Sequence, residues 1–450
     1  KEWQAQGSIT NLATRKPTTM SLPFRNPDTT FDSFLQELPA DYHERAIEFK
    51  AFTRSRKIKT PAHLMQVVMC YCGLDEVLRE AAGNFTLLAE RISDTAIHHR
   101  LKACVPWVKA LLTGMMGEAV KPLLEGRLRI LVADGSTVQG PGASGIQYRL
   151  HIAIDLVRLH LVHVVVTDEH TAESLTHYPL QDGDVAMTDR GYNQVAMWME
   201  IADRGVGLIV RYNPHGLHFH DAAGKIIDLE RQLKEATAPA VCVPAQVRNQ
   251  KKQFLNGYLH ARRLPPAQAA EARRRARAAA KKAGRQLQPR TLLFAAWVLI
   301  WTTLPPAVLS TDPIMALYRV RWQVELVIKR LKSILNIDQL RAKKNSALAD
   351  LYLHGKLLYA WVVEKRLRRR CGNDWNRLDQ PRHATPWRIW ALAQRELAHA
   401  ISGVREWDLR RWTQADQVLQ ERPRRRKLQT VPARVSQMIV HCQTQGLSNL

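Results

Sequence analysis

Apolar positions recur at helical spacing from near Phe31 to about Met116, in runs at 31–38, 42–52, 62–72, 75–82 and 93–102. Pro39, Pro61, Gly73 and the pair Gly83-Asn84 separate these runs, so the pattern predicts an all-helical first unit. The period then changes. Residues 127–134 form an apolar strand that ends on Asp134 before Gly-Ser-Thr, 148–156 alternate strictly, and 159–166 read as a central strand. A short strand at 184–188 runs into Asp189-Arg-Gly-Tyr192, followed by a helix to about 203 and a strand at 207–211. Hairpins followed by strand, helix and strand predict an α/β fold built on a mixed sheet.

Residues 213–303 break that rhythm with β-like runs at 225–229, 240–244 and 292–301 around a basic helical segment at 271–285, and read as a β-rich insertion. Helical periodicity returns beyond about 346, with basic clusters at 365–370 and 422–427. The expected organisation is a polar, flexible arm at 1–30 and a helical domain at 31–118. A first part of a catalytic core at 119–212 and the insertion at 213–303 come next. A second part of the core at 304–345 and a helical C-terminal region at 346–450 complete it.

The run from Tyr318 to Lys332 carries the densest chemistry. Tyr318, Arg321, Glu325 and Lys332 stand at offsets 0, 3, 7 and 14. At about 100° per residue they share a sector of roughly 60° on one helix. Val320, Val324, Val327, Leu331 and Ile334 form the opposing apolar stripe, and Asp312 with Pro313 suggests the helix start. Taken alone, this polar face reads equally as a solvated surface with an Arg321/Glu325 pair.

Composition shifts the balance. The 450-residue chain has 66 Lys and Arg against 41 Asp and Glu, a formal net charge of +25, which favours a polyanionic partner. Nothing approaches the roughly 18 consecutive apolar residues of a bilayer span, and no signal-peptide layout opens the chain, so nucleic acid is favoured over membrane and a cytoplasmic setting is expected. The six cysteines lack metal-ligand spacing and predict free thiols.

Three acids from separate elements then stand out: Asp134, Asp189 and Glu325. Phosphodiester cleavage or joining calls for two divalent cations about 3.5–4 Å apart, and magnesium takes oxygen ligands, so converging carboxylates suffice.

Tyr318, Arg321, Glu325 and Lys332 match the Tyr-x2-Arg-x3-Glu-x6-Lys signature, with Asp134 in Ala-Asp-Gly-Ser-Thr and Asp189 in Thr-Asp-Arg-Gly-Tyr upstream. The chain thereby resembles DDE transposases of the insertion-sequence-four family over residues 31 to 345. The resemblance implies a ribonuclease H-like core and cut-and-paste transposition. Hydrolysis frees a 3′-hydroxyl, this attacks the opposite strand to form a hairpin, and the reopened end joins target DNA. It implies Asp134, Asp189 and Glu325 as catalytic acids binding two Mg2+ (or Mn2+) ions. Double-stranded terminal-repeat and target DNA are the implied partners, with a homodimer in the paired-end complex and a nucleoid-associated setting in a bacterium. Arg321 and Lys332 would hold phosphates, Tyr318 would hydrogen-bond one near the cut, and Trp297 would stack on a flipped base or pack in a strand.

Other DNA contacts are expected from Arg190, from Arg273, Arg274 and Arg277 of the basic segment, which otherwise reads as a solvated helix, and from a helix-turn-helix-like unit ending at 92–102, which otherwise reads as an ordinary packing bundle. There Ser93 would cap a helix presenting Thr95, His98, His99 and Lys102. Asp155 reads as a solvated or locally paired strand residue, and Glu173, in Thr-Ala-Glu-Ser-Leu, has some likeness to the family but no evident chemical role. Two alternatives stay open: a related metal-dependent nuclease that cuts without joining, and a domesticated, non-catalytic DNA-binding protein.

Overall fold

The computed structural model describes residues 28–120, 129–212, 216–373, 375–378 and 384–403. Most of the expected N-terminal arm, the basic cluster at 422–427 and Cys442 lie outside them.

Six helices come first: α1 (Phe31–Leu35), α2 (Tyr42–Glu48), α3 (Pro61–Cys72), α4 (Leu78–Leu88), α5 (Asp94–Ala103) and α6 (Val105–Val120). Their starts follow local chemistry. The Thr30, Thr60 and Ser93 hydroxyls each accept a backbone N–H of the first turn, and Pro61 fills a position with no intrahelical bond to lose. The fourth helix departs from expectation. Asp75 is left-handed (φ 64°), so no helix begins there, and α4 instead runs through Gly83-Asn84. Burial of Ala81, Ala82 and Phe85 outweighs the low helix propensity of that pair.

The sheet follows. Its strands are β1 (Arg129–Val138), β2 (Tyr148–Asp155), β3 (Leu161–Asp168) and β4 (Asp184–Thr188), then, after α7 (Val195–Asp203), β5 (Gly207–Arg211). The intervening stretch adds β6 (Phe219–His220), α8 (Leu229–Glu235), β7 (Ala240–Pro244), β8 (Gln246–Arg248), β9 (Phe254–Leu255), β10 (Tyr258–Arg263), α9 (Pro266–Lys282), α10 (Pro289–Ala295) and β11 (Trp297–Thr302). Four helices complete the described chain: α11 (Thr311–Val320), α12 (Gln323–Leu335), α13 (Ala347–Cys371) and α14 (Pro386–Ser402).

Eight strands form one mixed sheet in the order β3-β2-β1-β4-β5-β11-β10-β7. β1, β2 and β3 are antiparallel neighbours, while β4 and β5 run parallel to β1. The expected insertion therefore does not stand apart from the sheet. β11 pairs antiparallel with β5, Trp301 opposite Val210, and β10 and β7 extend the same sheet; only β6, β8 and β9 form a separate small one. Strand alternation divides the core. Ile130 and Val132 face the helices of both ends of the chain, whereas Leu131 and Ala133 face a second cluster with Trp198 and Trp301.

The long helix α13 lies in the first core and carries charge into it. Arg366 is fully buried, its guanidinium bonded to Glu37 at 2.7 Å and Glu396 at 2.8 Å. Part of the basic cluster at 365–370 is thus an internal ion network, tying α13 to the chain after α1 and to α14. Among the described residues the cysteines are free thiols, and no helix is long and apolar enough to cross a membrane.

Candidate active site

β1 pairs with β4 only from Arg129 to Val132, but stays paired with β2 as far as Val138. Asp134 accordingly sits inside β1, paired across from Ile152, rather than at a strand end. What ends is β4. Beyond Thr188 the neighbouring edge of β1 is open, and Asp189 stands at that step. Alternation puts Asp134 on the same face as Ile130 and Val132, the face that α12 covers.

Asp189 is extended (φ −91°, ψ −165°) and caps a short turn, its Oδ1 accepting the Gly191 N–H at 2.7 Å. Glu325 comes from the first turn of α12 and is exposed. The expected single helix at 312–334 is in fact two: Ser310 precedes α11 in place of Asp312, and Arg321 and Trp322 join α11 to α12. The joint is a tightened turn, with Arg321 N–H donating to Tyr318 and Val324 N–H to Arg321, both at 3.1 Å. The apolar stripe still packs inward, Val320, Val324, Val327 and Leu331 being buried. The chain just after α12 is also tied to the residue that follows β1: Gln139 N–H donates to Asp338 at 3.0 Å, and Leu340 N–H to Gln139 at 2.9 Å.

Arg321 links the acids. Its Nη2 donates to Glu325 Oε1 at 2.6 Å and its Nη1 reaches Asp134 Oδ2 at 3.4 Å. Burial pushes the Asp134 carboxyl up to about 6, against the pull of Arg321 and the Gly135 N–H, and the Asp189 and Glu325 charges push the same way. Glu173, on the β3–β4 loop, is raised by burial and then by Asp189 and Asp134. Four carboxylates therefore sense one another at the open step.

The donors suit a hard divalent cation in kind, being carboxylate oxygens. Among the described residues no three His, Cys, Asp or Glu side chains are gathered to hold one as they stand. Arg321 accounts for part of this, because its guanidinium occupies the space between Asp134 and Glu325.

Other expected residues are placed differently. Tyr318 is buried and its hydroxyl donates to the Thr188 carbonyl at 3.2 Å, so it braces the end of β4 instead of offering a free hydroxyl to a phosphate. Trp297 is only 4% exposed, in β11, with the Arg263 guanidinium 4.8 Å from its ring. Its indole packs in the core, the strand alternative of the two; the exposed ring next to Arg321 in the chain is Trp322, at 46%. Lys332 lies two turns beyond Glu325 and 3.9 Å from Asp338. Arg190 is exposed next to Asp189.

Arg273, Arg274 and Arg277 are exposed on α9, Arg273 donating to the Leu292 carbonyl and Arg274 to Glu271. On α5, Thr95, His99 and Lys102 are exposed and His98 is half-buried. Asp155 closes the turn after β2, accepting the Val157 and Arg158 N–H groups at 2.9 and 2.8 Å. Neither Glu173 nor Trp322 is marked out by sequence pattern; the glycines at Asp134-Gly and Asp189-Arg-Gly are the available signal for Glu173.

Residues 125–360 match the family model described as the transposase DDE domain, which is more than half of the chain. The chain belongs to the DDE transposase domain family, and is thus a DNA transposase: an enzyme that cleaves and transfers DNA strands with divalent metal. InsL of insertion sequence element IS186A, from Escherichia coli (strain K12), is 28% identical over 335 residues, spanning 72% of this chain and 90% of that protein. The transposase for insertion sequence element IS421, from Escherichia coli, is 29% identical over 336 residues with the same coverage. A piggyBac transposase in a synaptic complex with hairpin DNA aligns over 91% of this chain and 87% of its own, at 9% identity and a TM-score of 0.41.

Proposed function

We propose that Asp134, Asp189 and Glu325 are the metal-holding acids of a cut-and-paste transposase of the insertion-sequence-four type, with a ribonuclease H-like core. The observation that carries this reading is the Arg321 contact: it joins Asp134 of the sheet to Glu325 of α12 at the step where Asp189 also stands. The order β3-β2-β1-β4-β5, with an antiparallel meander and two strands parallel to β1, supports the core assignment. Two magnesium ions, when bound, would polarise the attacking and leaving oxygens of the phosphodiester. The chain's own part is to aim the acids and to hold DNA.

Arg321, freed from Glu325, would hold a phosphate with two parallel N–H groups, and Lys332 would hold one as a point charge. Arg190 and the exposed arginines of α9 and residues of α5 add phosphate contacts, consistent with the charge of +25. Trp322 offers a stacking surface for an unpaired base beside the acids. Terminal repeats and target DNA are the substrates, hairpin ends the intermediate, and a homodimer the working form, with residues 346–450 as the pairing region. Incubation with labelled terminal-repeat DNA, a target plasmid and magnesium is expected to yield hairpins and joined products. Nicks with no joined product would favour a nuclease instead.

A further inference from the structure

Glu173 lies on the loop between β3 and β4, in Thr-Ala-Glu-Ser-Leu. This loop is fixed on both sides of the residue. Asp168 Oδ1 accepts the His170 and Thr171 N–H groups at 3.0 and 2.8 Å and the Thr171 hydroxyl at 2.7 Å. Arg149 donates to the Glu169 carbonyl at 3.2 Å, His177 Nε2 is 3.1 Å from the Ala172 carbonyl, and Leu175 is buried.

The carboxylate so placed rests on two glycines. A Cβ on Gly135 would lie 2.2 Å from Glu173 Oε1, and one on Gly191 would lie 2.4 Å from Glu173 Oε2 and 3.1 Å from Asp189 Oδ1. Neither glycine has a positive φ, so the backbone would accept a side chain at both positions. The room they leave is filled by Glu173. One glycine directly follows Asp134, and the other lies two residues beyond Asp189.

Among the described residues the Glu173 carboxylate accepts no hydrogen bond and makes no ion pair. Arg149 is an opposing charge near it, but that guanidinium donates to the Glu169 carbonyl. Folding alone gives little reason to hold this acid against other acids, since like charges at close range oppose one another. A cation drawn to all of them does give one. We propose that Glu173 is a fourth carboxylate of the metal-binding set, beside Asp134 and Asp189. This rests on the assignment of Asp134, Asp189 and Glu325 above.

The test is Mn2+ binding to the full chain without DNA, read from the electron paramagnetic resonance signal of free Mn2+. Wild type is compared with Glu173→Gln, Gly191→Ala, Asp134→Ala and Asp189→Ala, and thermal melting is followed in parallel without metal. The expected result is that Glu173→Gln weakens Mn2+ binding by about tenfold or more while its Tm equals or exceeds wild type. Gly191→Ala, which displaces the carboxylate without removing it, is expected to weaken binding as well. Unchanged Mn2+ affinity in Glu173→Gln, with both aspartate variants impaired, overturns the role of Glu173 alone. A Glu173→Gln variant that loses binding and melts lower also overturns it, marking a structural residue. If neither aspartate variant binds Mn2+ less well, the underlying acid assignment fails.

Discussion

Arg321 Nη1 stands 3.4 Å from Asp134 Oδ2, a contact that spans 187 positions of sequence and joins the sheet to the helix pair after β11. The same guanidinium holds Glu325, so without metal the arginine is the counter-ion of two acids. On the proposed assignment, a cation held by Asp134 and Glu325 would compete with this guanidinium and free it for a phosphate.

Competition between arginine and metal predicts opposite effects for one substitution. Arg321→Ala is expected to leave Mn2+ affinity without DNA equal to or above wild type, because a competing cation is gone. Cleavage of end DNA is expected to fall by about a hundredfold, because a phosphate donor is gone too. Mn2+ titration and single-turnover cleavage on the same preparation check both halves; a variant that binds metal less well would contradict the competition.

The raised Asp134 carboxyl gives the metal-free protein a pH signature. With its folded value up at about 6, folded Asp134 retains a proton that the unfolded chain releases at lower pH. This contribution to stability is therefore present at acid pH and lost as pH rises from about 4 through 6. Asp134→Asn should remove that slope and melt at or above wild type at pH 7. Mn2+ affinity should weaken as pH falls through the same window, since the ionised form is the ligand. Parallel Tm and Mn2+ titrations between pH 4 and 8, chosen to bracket about 6, check both trends.

Tyr318→Phe removes only the bond to Thr188, at the end of the strand that delivers Asp189. A loss of about 1 kcal/mol in stability is expected, readable by urea unfolding.

The two tryptophans should separate cleanly. Trp297→Ala empties a core position and is expected to cost about 3–5 kcal/mol in stability. Trp322→Ala, at an exposed joint, should melt like wild type but form hairpin products more slowly. Gel-resolved reaction products and melting curves distinguish the pair.

Much of this layout is legible in sequence because it is local. Strand alternation marks β1, β2 and β3, Ser93 marks a helix start, and the residues around Asp134, Asp189 and Glu325 mark where acids meet the sheet and α12. What escapes is set by distant partners. The pattern around Trp301 gives a strand but not its pairing with Val210, by which part of the insertion extends the main sheet. Helical spacing from Tyr318 to Lys332 does not reveal the tightened turn at Arg321, nor that the Tyr318 hydroxyl is taken by Thr188. Trp297 carries the same local signal whether its ring is open or buried. Glu173 is visible only once Gly135 and Gly191 are brought together across the step.

The most direct measurement is magnesium-dependent cleavage of labelled terminal-repeat DNA by Asp134→Ala, Asp189→Ala and Glu325→Ala, with DNA binding followed by gel shift. Each variant is expected to bind the end and leave it uncut, since the proposal gives the acids the metal and other surfaces the DNA. Robust cleavage by any one of the three would contradict the account.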